Sequence, residues 1–177
     1  MRSPRSTKKV QSLAGQVSVL NRFISRATDR YLLFFKILRK AFEWSEEYEK
    51  AFQELKKYLT LPPILSTPSL KEELFLYLAA SPLAVSSTLV KKEHGIQHLV
   101  YYTNRALQGA KSQYLRIEKL ALAFITSSRR LHLYFQAHSI VIIIDQPLSR
   151  MLSWLKTFGR LMKWVLELEE FKIVYKP

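Results

Sequence analysis

Hydrophobic residues in the first sixty positions recur every three or four residues, which is the spacing of amphipathic helices. The first such stretch begins near Thr7, and Gly15 inside it is a point at which a helix could break; its apolar stripe comprises Val10, Leu13, Val17, Leu20 and Ile24. A second short apolar segment, YLLFFKIL, covers residues 31–38. The N-terminal part of the chain is therefore predicted to be helical.

The helix with the clearest signals covers residues 45–59. Ser45 can cap its N-terminus and two glutamates suit the positive end of its dipole. Its apolar stripe comprises Tyr48, Phe52, Leu55 and Leu59. Three prolines in residues 60–68 then favour extended backbone. We therefore predict a helical lobe in residues 1–60, a proline-rich linker in 61–70 and a second domain in 71–177.

The second domain begins with the pattern of β-strands. Residues 74–80, 84–90 and 98–103 are three apolar segments, with turns at Ser81-Pro82 and at residues 91–95. This arrangement predicts an antiparallel meander.

A long helix and a buried strand follow the meander. Residues 111–130 predict the helix, which is apolar nearly all round from Leu120 to Ile125 and therefore buried. The five branched apolar residues from Ile140 to Ile144 are typical of a central strand covered on both faces. Short helices at 147–152 and 159–169 and a strand at 171–177 complete the chain. The predicted fold class is a mixed-sheet α/β (α+β) domain behind a small helical lobe.

Composition points to a polyanionic partner. The chain carries 28 Lys and Arg against 14 Asp and Glu, a net charge of +14. Residues 1–40 hold ten basic side chains and one acidic one, which is +9 of that total. Such a balance favours nucleic acid or an anionic membrane surface.

Compartment and membrane association follow from what the chain lacks. It has no cysteine, which excludes disulfides, thiolate zinc sites and cysteine nucleophiles. Its longest apolar runs, at 31–35 and 140–144, are far shorter than the roughly 20 residues of a membrane span. We expect an intracellular protein, in cytoplasm or nucleus, without a membrane partner.

Several spaced motifs resemble one family. TKKVQSLAGQVSVLNRFIS and FEWSEEYEKAFQELKKYLTLPPIL resemble the reverse-transcriptase thumb and connecting segment of Pol polyproteins from gypsy-type LTR retrotransposons, particularly those of plants. YYTNRAL, YLRIEKLALAFI and IDQPL resemble the ribonuclease H domain that follows. The resemblance implies a polymerase palm upstream of Met1. It also implies a further acid beyond Pro177, so that the ribonuclease H-like domain is C-terminally truncated.

The resemblance also implies a magnesium site that this chain fills poorly. Ribonuclease H cleavage uses two divalent cations, which need several converging carboxylates. Ala79 occupies the position of the family's first aspartate, Leu120 that of its helical glutamate, and only Asp145 retains a family acid. Glu118 is an unsuitable substitute for residue 120, because side chains two positions apart on a helix point about 200° apart.

Asp145 alone has two interpretations, a cap for the helix near Pro147 and a weak metal ligand, and capping is the commoner use of aspartate. A reduced site that pairs Asp145 with Glu118 or Glu93 is the alternative for an active magnesium-dependent nuclease. The four histidines show no ligand spacing, and His132 and His138 are interpreted as surface or capping residues. No metal ion is expected to bind tightly.

The basic lobe supports binding better than the acids support catalysis. If the thumb resemblance holds, Lys8, Lys9, Arg22 and Arg26 face the nucleic acid and neutralise its phosphates, the other interpretation being a solvated charged face. Trp44 is interpreted as a core residue.

The predicted function is binding of RNA/DNA hybrid or duplex by a part of a Pol polyprotein without catalysis. A purely structural tether for a downstream nuclease domain is a further hypothesis.

Overall fold

The computed structural model describes residues 3–23, 34, 43–60, 63–144 and 159–176. The chain divides into two compact units, Met1–Ile64 and Leu65–Pro177. Residues 145–158, which include Asp145 and the predicted helix at 147–152, lie outside the described residues. The predicted second helix, at 31–38, also lies outside them except for Phe34.

The first unit is built on two helices, α1 (Thr7–Val19) and α2 (Glu46–Thr60), with a 3-10 turn at Leu20–Phe23. Helix α1 continues through Gly15, so a break at that residue was the wrong expectation. The core of the unit comprises Val10, Leu13, Val17, Phe34, Phe52 and Leu55. The other described residues of the predicted stripes, Leu20, Tyr48 and Leu59, are partly buried against it, and Ile24 lies outside the described residues. Three glutamates in the first turn of α2 complement its dipole.

The second unit contains a five-stranded mixed sheet. Its strands are β1 (Leu74–Ala80), β2 (Ala84–Glu93), β3 (Ile96–Ala106), β4 (Ile140–Ile143) and β5 (Ile173–Lys176). They lie in the order β3-β2-β1-β4-β5; the first three are antiparallel neighbours, and β4 is parallel to both β1 and β5. The mixed α/β class predicted from the hydrophobic pattern is confirmed.

The described residues of this unit also form the helices α3 (Arg116–Arg130), α4 (His132–Ala137) and α5 (Gly159–Glu169). A 3-10 segment, Gly109–Gln113, precedes α3, so the predicted single helix from residue 111 begins later. Helix α3 packs against β1, β2 and β3. Its apolar run Ala121–Ile125 is buried in the core with Leu74, Leu76, Ile140 and Ile142.

The β2–β3 hairpin is tighter than predicted. The strands continue to Glu93 and from Ile96, and only His94 and Gly95 form the turn. Both residues have positive φ, 50° and 83°, as in the two-residue turns that match the twist of antiparallel strands. Residues 91–93 therefore belong to the sheet and not to the turn.

Candidate functional site

The outer face of α1 carries two of the four cations predicted to bind nucleic acid. Lys8 and Lys9 are exposed, whereas Val10 is fully buried. The backbone N–H groups of Lys9 and Val10 donate to the carbonyl of Ser6 at 3.0 and 3.1 Å. The first turn of the helix is thus fixed, and both lysines project from it. No acidic side chain occurs in α1 to neutralise them.

The other described residues of this face are polar or small, and all of them are exposed. Gln11, Ser12, Gly15 and Gln16 are all exposed. A Cβ added to Gly15 would meet nothing within 4 Å, so no packing requirement explains a glycine there. The face therefore offers two ammonium groups and amide donors beside a point where another molecule can approach the helix backbone.

The other two predicted cations are not placed with these lysines. Arg22 belongs to the 3-10 turn, but its side chain is outside the described residues, as is the whole of Arg26. Their role stays a prediction.

Helix α2 begins with a network around Glu49. Its carboxylate accepts hydrogen bonds from Gln53 Nε2 at 2.6 Å, Trp44 Nε1 at 2.8 Å and Ser3 Oγ at 2.9 Å. These bonds, that of Gln53 foremost, lower the pKa of Glu49. The Trp44 ring stacks on Phe34 with centroids 6.3 Å apart. Trp44 therefore packs against the core of the first unit, as predicted.

The edge of the sheet where the resemblance places metal ions is formed by β1 and β4. Leu74 lies opposite Ile140 and Tyr77 opposite Ile143, so the two parallel strands end on the same side. Ala79 lies near the end of β1 and is half-buried. Asp145 follows β4 in the sequence but lies outside the described residues, so its role stays a prediction.

The helix that crosses the sheet brings no acid to the core. Leu120, at which the resemblance places the family glutamate, is only 4% exposed. Glu118 accepts a hydrogen bond from the backbone N–H of Leu115 at 2.8 Å and so caps the start of α3. That carboxylate stabilises the helix end.

Glu93 lies at the opposite end of the sheet from the C-terminal ends of β1 and β4. Leu74, the first residue of β1, pairs with Lys91, whereas Ala80, the last, pairs with Val85. Lys91 is thus about 20 Å from the level of Ala80, and Glu93 lies two residues farther away. Glu93 forms an ion pair with Lys91 at 3.1 Å, and the hydrogen bond from that lysine lowers the pKa of Glu93.

The described residues do not fit a two-metal site. Across them, no group of three or more His, Cys, Asp or Glu is arranged to hold a metal ion. Magnesium requires oxygen ligands at near-octahedral geometry, and Ala79 and Leu120 supply no side-chain oxygen.

Two of the four histidines, His132 and His138, have structural partners. His138 is buried, at 8% exposed, and its Nδ1 lies 2.9 Å from the carbonyl oxygen of Glu72. It is not a surface residue, but the alternative interpretation as a capping residue is confirmed, because His138 is the C-cap of α4 and its backbone N–H donates to the carbonyl oxygen of Tyr134 at 3.0 Å. His132 is exposed, as expected, and its ring contacts that of Phe171 edge-on.

One residue of chemical interest was not found from the sequence. Lys119 lies beside Leu120 on α3 and is only 9% exposed, and its Nζ lies 3.4 Å from the carbonyl oxygen of Pro82. The pattern of α3 marks a buried helix but does not identify a buried ammonium group. The sequence signal that could have identified it is a lysine directly before Leu120–Ile125, a helical segment that is apolar on every side.

Comparison with protein families decides what this fold is. Residues 44–142, more than half of the chain, match the model for the RNase H-like domain found in reverse transcriptase. The chain belongs to this reverse-transcriptase RNase H-like family. The predicted resemblance is confirmed at that level, while the gypsy-type and plant assignment stays a prediction.

Curated relatives of this RNase H-like chain are Pol polyproteins of transposons. The polyprotein of transposon 297 from Drosophila melanogaster is 28% identical over 178 residues, which cover 97% of this chain and 16% of the relative. That of transposon 412 from the same species is 26% identical, and the Tf2-3 polyprotein of Schizosaccharomyces pombe 24% identical over 99% of this chain. The chain spans 14–16% of the lengths of these relatives.

Solved structures of foamy viral protease-reverse transcriptases share the fold. The protease-reverse transcriptase dRH in complex with double-stranded DNA gives a TM-score of 0.77 at 17% identity. The similarity covers 99% of this chain and 32% of the foamy viral chain. Another, in complex with an RNA/DNA hybrid, gives 0.73 at 18% identity over 98% of this chain and 25% of that one. Among the helices described here, none is both long enough and apolar enough to cross a membrane.

Proposed function

We propose that this chain is the thumb-connection and RNase H-like part of a retrotransposon reverse-transcriptase polyprotein, and that it binds duplex nucleic acid without cleaving it. The proposed parts are a thumb-connection lobe in residues 1–60, a linker in 61–70 and the RNase H-like domain in 71–177. The favoured ligand is the RNA/DNA hybrid, and the remainder of a Pol polyprotein is the protein partner.

Binding is supported by the cationic face of α1. Lys8 and Lys9 are both exposed on a helix that has no acidic residue, and the chain as a whole carries a charge of +14. A basic helix face can neutralise backbone phosphates without reading sequence. The foamy viral proteins of the same fold were solved with double-stranded DNA and with an RNA/DNA hybrid.

The burial of Leu120 is the main observation that supports the proposed lack of cleavage activity. RNase H-like enzymes of this family generally use magnesium, and the bound ions activate water and stabilise the leaving oxygen. Leu120 is 4% exposed and Ala79 has no ligand atom in its side chain. The Glu118 carboxylate accepts the backbone hydrogen bond that caps the start of α3.

The decisive experiment is a cleavage and retention assay in one gel. The purified chain is incubated with an end-labelled RNA/DNA hybrid and magnesium or manganese, alongside Asp145→Asn. We expect retention of the hybrid that weakens with salt and no cleavage. Cleavage that disappears in Asp145→Asn would overturn the non-catalytic proposal and establish a reduced metal site. Weak binding that is insensitive to salt would instead favour the structural tether.

A pair of variants tests the binding face. Lys8→Ala with Lys9→Ala removes two charges from α1, and Lys56→Ala with Lys57→Ala removes two exposed charges from α2 in the same unit. We expect the first variant to lower the slope of log affinity against log salt by about 2, because each phosphate contact contributes about 0.9. The second variant should leave the slope unchanged. Equal effects of the two would show that only total charge matters.

A further inference from the structure

Lys119 is buried more deeply than lysine usually is. Only 9% of the residue is exposed, although its side chain ends in an amino group. Lysine is almost never fully buried unless its ammonium group is paired, because desolvation of an isolated charge is costly. The position of this side chain therefore requires an explanation.

No carboxylate of the described residues forms an ion pair with Lys119. The ion pairs seen in residues 3–23, 43–60, 63–144 and 159–176 join Lys91 to Glu93, Arg129 to Glu167 and Lys176 to Glu73. Glu118, its neighbour in sequence, accepts a backbone hydrogen bond at the start of α3. The hydrogen bond found for the ammonium is the one to Pro82 O, which at 3.4 Å is long. An ammonium has three donors, so this bond leaves capacity for an anion.

The oxygen that contacts Lys119 is held in a rigid turn at the surface. Ser81 closes the turn between β1 and β2: its backbone N–H donates to Ala84 O at 2.8 Å, and its Oγ accepts from Ala84 N–H at 2.9 Å. Pro82, at the tip, is exposed. The ammonium is therefore buried along its stem but ends beside a surface turn, as lysine does when its charge reaches outward.

The surroundings favour a phosphate as the anion. The Pro82 carbonyl orients the ammonium, and the turn lies three residues beyond Ala79, on the side of the sheet where β1 and β4 end. A fixed cation in a partly desolvated position attracts a phosphate oxygen more strongly than a solvated lysine does. The net charge of +14 makes a nucleic-acid backbone the phosphate source that the whole chain would attract.

We propose that Lys119 binds a backbone phosphate of the duplex at the β1–β2 turn, which adds a contact in the RNase H-like domain to the face of α1. This inference rests on the proposed nucleic-acid binding and specifies a second point of attachment. The ammonium holds the phosphate electrostatically but contributes no ligand to a metal ion and no base for water. The contact therefore fixes the strand without cleaving it.

Salt titration of hybrid binding tests the proposal. Affinity for a labelled RNA/DNA hybrid is measured between about 50 and 200 mM salt. Loss of one phosphate contact in Lys119→Met should reduce the steepness of log affinity against log salt by about 0.9. Between the two salt concentrations, the affinity of this variant should then fall by a factor roughly three times smaller than that of the unmodified chain. Lys163→Met, an exposed lysine of α5, removes the same charge and should leave the slope unchanged. An unchanged slope in Lys119→Met, with binding intact, would overturn the proposal alone.

A second measurement needs no substitution and so survives misfolding of Lys119→Met. Acetylation of each lysine in the unmodified chain is followed by mass spectrometry with and without hybrid, and with inorganic phosphate as the small probe. Protection of Lys119 by hybrid supports the proposal. Protection by inorganic phosphate alone overturns the duplex as the source. Failure of the unmodified chain to retain hybrid at any salt refutes the proposed function itself, and this inference with it.

Discussion

Leu120→Glu would place the acid that the resemblance implies at a position that is buried in this chain, and its cost can be worked from the structure. Leu120 is 4% exposed, so losing its burial costs about 1.5–3 kcal/mol. A carboxylate there has no partner among the described residues, so desolvation should raise its pKa. A rise of about two units adds roughly 2.7 kcal/mol at neutral pH. The total, about 4–6 kcal/mol, is a large fraction of a typical domain stability of about 5–15 kcal/mol.

The penalty should depend on pH in a defined direction. A glutamate whose pKa is raised in the folded state is neutral in both states below its ordinary pKa of about 4.3. The charge-related part of the penalty is therefore absent in acid, grows as pH rises above that value and is complete above the raised pKa. Leu120→Gln, which is polar but cannot ionise, should cost the same at every pH.

Urea unfolding followed by circular dichroism measures these differences, with Leu120→Met as the volume-conserving control that should cost less than about 1.5 kcal/mol. We expect the unfolding free energies of Leu120→Glu and Leu120→Gln to diverge as the buffer changes from mildly acidic to alkaline. Equal stability of the two at about pH 8, or a Leu120→Glu protein stabilised by magnesium, would refute it. Either result would mean that position 120 reaches solvent or a metal ion.

Three further predictions concern other residues. Gly15→Ala should stabilise the first unit by about 0.5–1 kcal/mol in urea unfolding, because the new Cβ meets nothing within 4 Å, and a destabilised variant would contradict this. Arg129 donates two hydrogen bonds to Glu167 and lowers the pKa of its carboxyl group. The pair therefore stabilises the fold above the ordinary glutamate pKa, and this stabilisation is lost as pH falls through the lowered pKa. Glu167→Gln should flatten the acid part of the curve of unfolding free energy against pH. Partial burial raises the pKa of Tyr175 to about 12, so Tyr175→Phe should remove one phenol from the part of an alkaline absorbance titration near that pH, and an unchanged titration there would contradict the assignment.

Hydrophobic periodicity predicted most of the architecture because the two kinds of element differ clearly here. Strand β1 has the predicted bounds, residues 74–80, since turns flank an apolar run on both sides. The β2–β3 hairpin was predicted too short because Lys91, Lys92 and Glu93 have the polarity of a turn. Polar residues at the end of an edge hairpin are equally compatible with a strand, and the positive φ of His94 and Gly95 decided the outcome.

Side-chain partnerships were less predictable than elements. Helical geometry predicts that Glu118 does not substitute for an acid at position 120, and this stays a prediction. The hydrogen bond that Glu118 accepts from Leu115 N–H gives its carboxylate a structural use. Nothing in the local pattern distinguished buried His138 from a surface residue, because its partner, Glu72 O, lies 66 positions away. The same limit concealed Lys119, whose contact is in the distant β1–β2 turn.

If the resemblance places the family's acids at positions 79 and 120, the apolar residues found there would let the fold persist without a metal site. Clustered carboxylates repel one another unless cations neutralise them, so an empty acidic site destabilises its own fold. Leu120 contributes buried apolar surface at its position, and Ala79 places no charge near the end of β1. Under the proposed function, stability and catalysis are thus exchanged at the same positions, as in many active sites. The cations lie outside this exchange: Lys8 and Lys9 are exposed on α1, and the Lys119 ammonium lies beside the β1–β2 turn. The proposed domain should therefore hold a duplex that it does not cut.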